Sequence, residues 1–200
     1  MAEEESFLVP SDTYFKAGVH IGTKFRTKYM ADYIYKIRGD GLSIMNVSQI
    51  DKKIREAVKF LIQYNPEDII VVSRRENGWK PVTLFGRATG CRTIIKRYQP
   101  GRFTNSQLET FTEAKVLIVT DAWPDRNALK DGRFSGMKIL GICDTNNETY
   151  ELDYIIPGNN KGRQSLGLIY YLIAREFCKE KGLPFEIPED EFVGEEEDIA

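Results

Sequence analysis

Asp68-Ile69-Ile70-Val71-Val72-Ser73 is a short, continuously aliphatic run with polar residues at its two ends. A half-exposed strand would alternate apolar with polar, and an amphipathic helix would repeat its apolar positions every three or four residues. An unbroken run of this length is the pattern of a strand covered on both faces. Lys115-Val116-Leu117-Ile118-Val119-Thr120 repeats it. Thr93-Ile94-Ile95-Lys96-Arg97-Tyr98, Lys138-Ile139-Leu140-Gly141-Ile142-Cys143 and Asp153-Tyr154-Ile155-Ile156 read as further strands. The segments between them carry helical periods. Ser48 opens a helix with Ile50, Ile54, Ala57, Val58 and Leu61 on one stripe, stopped by Asn65-Pro66. Others are expected from about Trp79 to Thr89, from Pro124 to Lys130, and from about Lys161 to Glu180, where Leu166, Ile169, Ile173 and Phe177 share a face. Strands alternating with helices predict the α/β class: a doubly wound, mostly parallel sheet with helices on both faces.

Ahead of the sheet, Ser11-Asp12-Thr13 offers a helix start and Gly18 a left-handed stop. Tyr33 to Arg38 and Leu42 to Val47 flank Gly39-Asp40-Gly41, a hairpin signal. The expected organisation is an acidic segment over 1–9, one domain over 10–182 that includes the 33–47 hairpin, and an acidic, extended or disordered tail over 183–200. Two hundred residues with 42% hydrophobic content suffice for one real core. No run approaches the roughly 20 apolar residues of a membrane span, and Met1-Ala2-Glu3-Glu4-Glu5 is the opposite of a signal peptide, so a cytoplasmic protein without a membrane partner is expected. Cys91, Cys143 and Cys178 are widely separated and lack CxxC spacing, which predicts buried thiols rather than a disulfide framework or a metal site.

The net charge of -2 hides a division along the chain. Residues 186–200 hold eight acids and no base, and Glu3, Glu4 and Glu5 add three more. Removing those eleven from the thirty acids leaves 19 against 28 bases, a body of net +9. Clustered positive charge is the electrostatic footprint of a phosphate-contacting face. Much of it lies in the loop expected after Gly18, where Lys24, Arg26 and Lys28 alternate with Thr23, Phe25, Thr27 and Tyr29, downstream of the only histidine, His20. Cations and hydroxyls hold phosphates and sugars while exposed bases stack on rings, although the same composition suits a solvated loop. Gly101-Arg102-Phe103-Thr104-Asn105-Ser106 has a similar make-up beside Lys96 and Arg97; a capped turn would explain it equally well. Arg74 and Arg75 follow the first buried strand.

A doubly wound sheet also raises an enzyme, because such sheets bind ligands beyond the carboxyl ends of their strands. The loops there would carry Ser73-Arg74-Arg75, Thr120-Asp121, Asp144-Thr145-Asn146 and Pro157-Gly158-Asn159-Asn160. No GxGxxG follows a strand, no GxxxxGK[ST] cradles a triphosphate, no GxSxG presents a nucleophile, and one histidine cannot supply HExxH. Asx and Thr side chains account for the last two loops as sharp turns, with Asn159 or Asn160 capping the final helix. The expectation is no catalytic residue, no cofactor, no metal and no small-molecule substrate. A nucleotide-dependent α/β enzyme and a protein-only adaptor are the alternatives.

Five motifs in order resemble the second small-subunit ribosomal protein family. They are Ala17-Gly18-Val19-His20-Ile21-Gly22, the hairpin with its Asn46-Val47 end, Gly101-Arg102-Phe103-Thr104-Asn105, Ile142-Cys143-Asp144-Thr145-Asn146 and Ile156-Pro157-Gly158-Asn159, spread over roughly residues 10 to 182. The sequence is similar to the archaeal and eukaryotic branch, since it has no long helical insertion of the bacterial kind. It also lacks the long carboxyl extension of the animal members described as laminin receptors, which speaks against a cell-surface role. The resemblance implies a structural constituent of the small ribosomal subunit, in the cytoplasm, supporting translation as part of a ribonucleoprotein. Its partners would be small-subunit ribosomal RNA and neighbouring small-subunit proteins, the acidic tail meeting a basic one. It implies RNA contacts at His20, Thr23, Lys24, Arg26 and Lys28 and at Arg102, Thr104 and Asn105, with Arg74, Arg75, Lys96 and Arg97 as further contacts.

Overall fold

The computed structural model describes residues 7–193. In chain order the elements are α1 (Ser11–Lys16), β1 (Ile34–Ile37), β2 (Ser43–Met45), α2 (Val47–Leu61), β3 (Ile69–Ser73), α3 (Trp79–Thr89), β4 (Arg92–Ile95), β5 (Val116–Val119), α4 (Arg126–Phe134), β6 (Lys138–Cys143), β7 (Tyr154–Pro157), α5 (Arg163–Lys181) and α6 (Glu189–Val193). β1 and β2 form the antiparallel hairpin, while β4-β3-β5-β6-β7 form a sheet in which every pairing is parallel.

The aliphatic run at 69–73 is central because it feeds two cores. Ile69 and Val71 enter one cluster with α2, α3 and α5, whereas Ile70 and Val72 enter the other with Ala128 and Leu129 of α4 and with Tyr98 and Phe103. Val116 and Ile118 against Leu117 and Val119 repeat the division one strand over. Each such side chain contributes roughly 1.5–3 kcal/mol by leaving water, so no position in these strands has a cheap polar substitute. A one-residue slip would swap the two cores, which fixes the register. The chain steps from β3 to β4 through α3, then returns across β3 to reach β5 along the opposite face. The carboxyl ends of β3 and β5 therefore form the point where the winding reverses.

The structure corrects the sequence expectations at three boundaries. The fourth strand ends at Ile95, and Lys96 turns into the left-handed region (φ 70°), so Lys96 to Tyr98 leave the sheet. The helix expected at 124–130 runs over Arg126–Phe134 instead. The tail expected to be extended or disordered over 183–200 contains α6, whose Phe192 is fully buried. Phe192 packs edge-on to Tyr171 (5.7 Å) and beside Phe185 (6.5 Å), and a Cβ on Gly167 of α5 would lie 2.7 Å from the Phe192 carbonyl oxygen. Three apolar residues, Phe185, Ile187 and Phe192, anchor a stretch whose average composition is acidic. Residues 194–200, and residues 1–6 of the acidic amino-terminal segment, lie outside the described residues. Residues 7–9 belong with the body: Leu8 donates its N–H to Asp51 (2.8 Å) and accepts from Arg175 (2.9 Å).

Candidate nucleic-acid interface

α1 ends as its sequence dictates, with Gly18 left-handed (φ 66°), and the following chain is zipped onto the hairpin. Gly22 donates to the Ser43 carbonyl (2.8 Å), Ser43 to Thr23 (3.1 Å) and Met45 to His20 (2.8 Å). At Gly22 the loop meets the end of β6 so closely that a Cβ would lie 2.5 Å from Thr145 Cγ2. Beyond it the alternation in the sequence becomes a division of labour. Thr23 and Thr27 turn inward: the Thr23 N–H donates to Thr145 Oγ1 (3.0 Å), the Thr27 N–H to the Thr145 carbonyl (2.9 Å), and Thr27 Oγ1 to the Asn147 carbonyl (2.7 Å). Thr145 Oγ1 in turn donates to the Phe25 carbonyl (3.1 Å). Lys24, Phe25, Arg26 and Lys28 are left facing solvent, on backbone that is already ordered.

Beneath this loop the carboxyl edge of the sheet carries a buried polar network, in which Asn160 Oδ1 is left without a partner. Arg75 donates Nε to Asp121 Oδ2 (2.7 Å) and adds a second bond through Nη2. Asp121 Oδ1 accepts from Asn147 Nδ2 (3.0 Å) and from the Trp123 N–H (3.1 Å). Asn160 Nδ2 bridges Asn147 Oδ1 (2.9 Å) and the Ile142 carbonyl (2.9 Å), and Lys161 Nζ binds Asp144 and Asn146. Asn159 Oδ1 accepts the N–H groups of Lys161 (3.0 Å) and Gly162 (3.1 Å), which orders the turn into α5. The winding-reversal point where such sheets usually hold a ligand is thus occupied by the protein's own Arg75–Asp121 pair. Removing Arg75 would strand the buried Asp121 carboxylate, so the pair serves structure first.

The predicted contact residues fall into three groups. Lys24, Arg26 and Lys28 share the carboxyl edge with Arg74, Arg75, Lys96 and Arg97, because their loop is bonded to Thr145 and Asn147 just past β6 while the other four directly follow β3 and β4. Arg74 and Arg97 line one cleft of about 210 Å³ with Tyr98, Asp125 and Asn127. The Lys96 ammonium lies over the Trp79 ring, 5.5 Å from its centre. Arg102, Thr104 and Asn105 are elsewhere. Phe103 beside them is a buried plug against Tyr98 (5.0 Å), Ser135 Oγ donates to its carbonyl (2.8 Å), and Asp131 accepts from Gly101 (2.7 Å) and Tyr98 (2.8 Å). That loop sits towards the far end of α4, a helix whose nine residues span about 13 Å. His20 forms the third group by itself. Its ring packs edge-on to Phe15 (4.9 Å) and burial pushes its pKa down, so at neutral pH it offers no positive charge.

Sequence reasoning missed Trp123, Arg126, Lys130 and Tyr150. With Phe25 and Glu148 they line a groove of about 720 Å³ between the opening loop, the start of α4 and the β6–β7 connection. A tryptophan next to a proline after a buried strand was the available signal. Its apposition to Phe25, nearly a hundred residues earlier, is not encoded in either local pattern.

Comparison with known proteins adds independent findings. The family model for ribosomal protein S2 matches residues 14–112 and 108–179. The small ribosomal subunit protein uS2 of Ignicoccus hospitalis is 47% identical over 186 residues, covering 92% of this chain and 88% of the relative. Its namesake in Methanococcus maripaludis is 44% identical over 180 residues (90% and 82% of the two chains), and that of Thermoplasma volcanium 44% over 179 residues (90% of each).

Proposed function

The chain belongs to the ribosomal protein S2 family, and from that premise we propose that it is a structural constituent of the small ribosomal subunit, held by ribosomal RNA and by neighbouring subunit proteins. Its α/β core is a scaffold rather than a catalyst, as fold alone never decides chemistry. Its place is the cytoplasm, with the ribosome. One observation carries the RNA contact: along the carboxyl edge Arg75, Asp121, Asn147 and Asn160 are bonded to one another in a chain, while Lys24, Arg26, Lys28, Arg74, Lys96 and Arg97 are exposed beside it. Exposed cations on preordered backbone lose little entropy on meeting phosphates.

Within this proposal the residues have distinct roles. Lys24, Arg26, Lys28, Arg74, Lys96 and Arg97 hold phosphates. Arg75 shares its charge with Asp121 and contributes at its exposed side, and Thr23 and His20 shape the loop. Arg102, Thr104 and Asn105 form a second, separate contact at the far end of α4. The acidic residues beyond α6 meet a basic neighbouring protein, since RNA would repel them. Truncation after Val193 leaves α6 in place and should deplete one neighbour from purified subunits; unchanged subunit composition would remove that assignment.

Gradient sedimentation of a cell lysate tests the whole proposal. The chain should comigrate with small subunits and whole ribosomes, and should leave those fractions after ribonuclease treatment. A chain confined to the top of the gradient would overturn it, and a complex that survives the nuclease would favour the protein-only adaptor.

A further inference from the structure

Three of the most exposed aromatic rings converge on the groove described above. Phe25 is 79% exposed, Trp123 70% and Tyr150 63%, and they come from three separate segments. Large apolar faces left in water are a feature monomers generally avoid unless a partner covers them. Here the backbone beneath two of the rings is held, and the third ring rests on a neighbouring one. The Phe25 carbonyl accepts from Thr23 Oγ1 (2.9 Å) and Thr145 Oγ1 (3.1 Å), the Trp123 N–H is held by Asp121 (3.1 Å), and Tyr150 lies against Tyr29 (6.2 Å between ring centres). Rigid, flat, solvent-facing rings are platforms rather than core side chains caught in the open.

The charges around the rings identify the occupant. Arg126 and Lys130 are one turn apart on α4 and line one wall. Arg126 and Trp123 also border an adjoining hollow of about 300 Å³ that contains Arg74 and Arg75. A line of cations therefore runs from the basic edge into the aromatic groove. Glu148 and Glu151 stand among the groove's other residues and would repel phosphate, so a polyanion entering here keeps its backbone on the α4 side and turns its bases inward. A protein partner would have to desolvate Lys130, Glu148 and Glu151 within its interface, where lysine and glutamate are depleted.

We infer that this groove is a stacking site for an unpaired base of RNA, with Trp123 and Phe25 as its platforms and Arg126 and Lys130 holding the adjacent phosphates. The inference rests on the ribosomal reading and adds to it that the contacted RNA is single-stranded at this point. Stacking of a base on an aromatic side chain changes affinity by about tenfold or more, and it tolerates any base because every base presents a π-face.

Purified small subunits carrying the natural chain, Trp123→Ala or Trp123→Phe provide the test. Irradiation followed by ribonuclease digestion should leave a nucleotide adduct on a peptide containing Trp123, Phe25 or Tyr150. Chemical probing of the RNA should show one nucleotide becoming about tenfold more reactive with Trp123→Ala and returning to its protected state with Trp123→Phe, while both variants still enter subunits. RNA reactivity that is identical in all three subunits would overturn the inference, as would a protein cross-link covering Trp123. Absence of the natural chain from subunits would instead defeat the ribosomal reading itself, so the two failures are separable.

Discussion

Two loops of nearly the same composition, 22–29 and 101–106, use their aromatic residue in opposite ways. In both, a glycine precedes a cation, an aromatic and a hydroxyl side chain. In the first, threonines fasten the loop to Thr145 and Asn147, and Phe25 is 79% exposed. In the second, Phe103 is 4% exposed and is itself the fastener, helped by Asp131 and Ser135. The lesson is that an aromatic residue becomes available for a ligand only when something else holds its loop.

Deleting the two rings in turn separates their roles. Phe103→Ala should lower stability by about 3–5 kcal/mol through lost burial and a cavity, whereas Phe25→Ala should stay within about 0.5 kcal/mol. Denaturant unfolding of the two variants measures the contrast, and equal losses would erase the distinction.

Asp125 supplies the next largest effect, at the basic edge beside Arg74. It accepts the Arg74 N–H (2.9 Å), and burial pushes its carboxyl up to about 7 despite that bond. The folded pKa lies above the unfolded one, so the group's contribution to stability is full below about pH 4 and is lost as the pH rises through 7. Asp125→Asn keeps the acceptor for Arg74 and removes the charge. It should be more stable than the natural protein at pH 8, by at most about 4 kcal/mol, and no more stable at pH 4. Parallel melting curves at both pH values decide this.

Thr145→Val sharpens what holds the first loop. Without the hydroxyl, the Thr23 N–H and the Phe25 carbonyl each lose a partner, a cost of about 1–3 kcal/mol. Amide exchange at Thr23 and Thr27 should accelerate while exchange in β3 changes little. Replacing Lys24, Arg26 and Lys28 together with Ala should leave the melting temperature nearly unchanged and reduce the dependence of RNA binding on log salt by about two to three. The same triple replacement would have no effect on that slope if only the 101–106 loop touched phosphate. Smallest is Lys96→Gly. Relieving the left-handed backbone at φ 70° should add up to about 1 kcal/mol of stability, read from the denaturation midpoint, while RNA affinity falls.

Much of the scaffold was legible because it depends on short-range repetition. The run at 69–73 announced a strand covered on both faces, and it feeds a core on each side. The helix expected at 79–89 and the strand at 138–143 were found with the same bounds, and the stripe of Leu166, Ile169, Ile173 and Phe177 is fully buried. The acidic tail was misread because charge dominates its composition, whereas three apolar residues decide its packing. Asp144 behaves as the turn residue expected, taking the Thr145 N–H, but no side chain caps α5, Asn160 reaches back to Ile142 and Asn147, and Thr145 bonds the Phe25 carbonyl 120 residues away.

By itself the sequence determined the class of fold and the basic character of its body, since strand and helix periods and net charge are properties of neighbouring residues. The tertiary structure alone decided that Phe25, Trp123 and Tyr150 meet across one groove, that Phe103 does not join them, and that Arg75 is neutralised by Asp121. Those outcomes depend on which surfaces the crossovers of a parallel sheet bring together, and contact between distant segments is set by packing rather than by any local pattern.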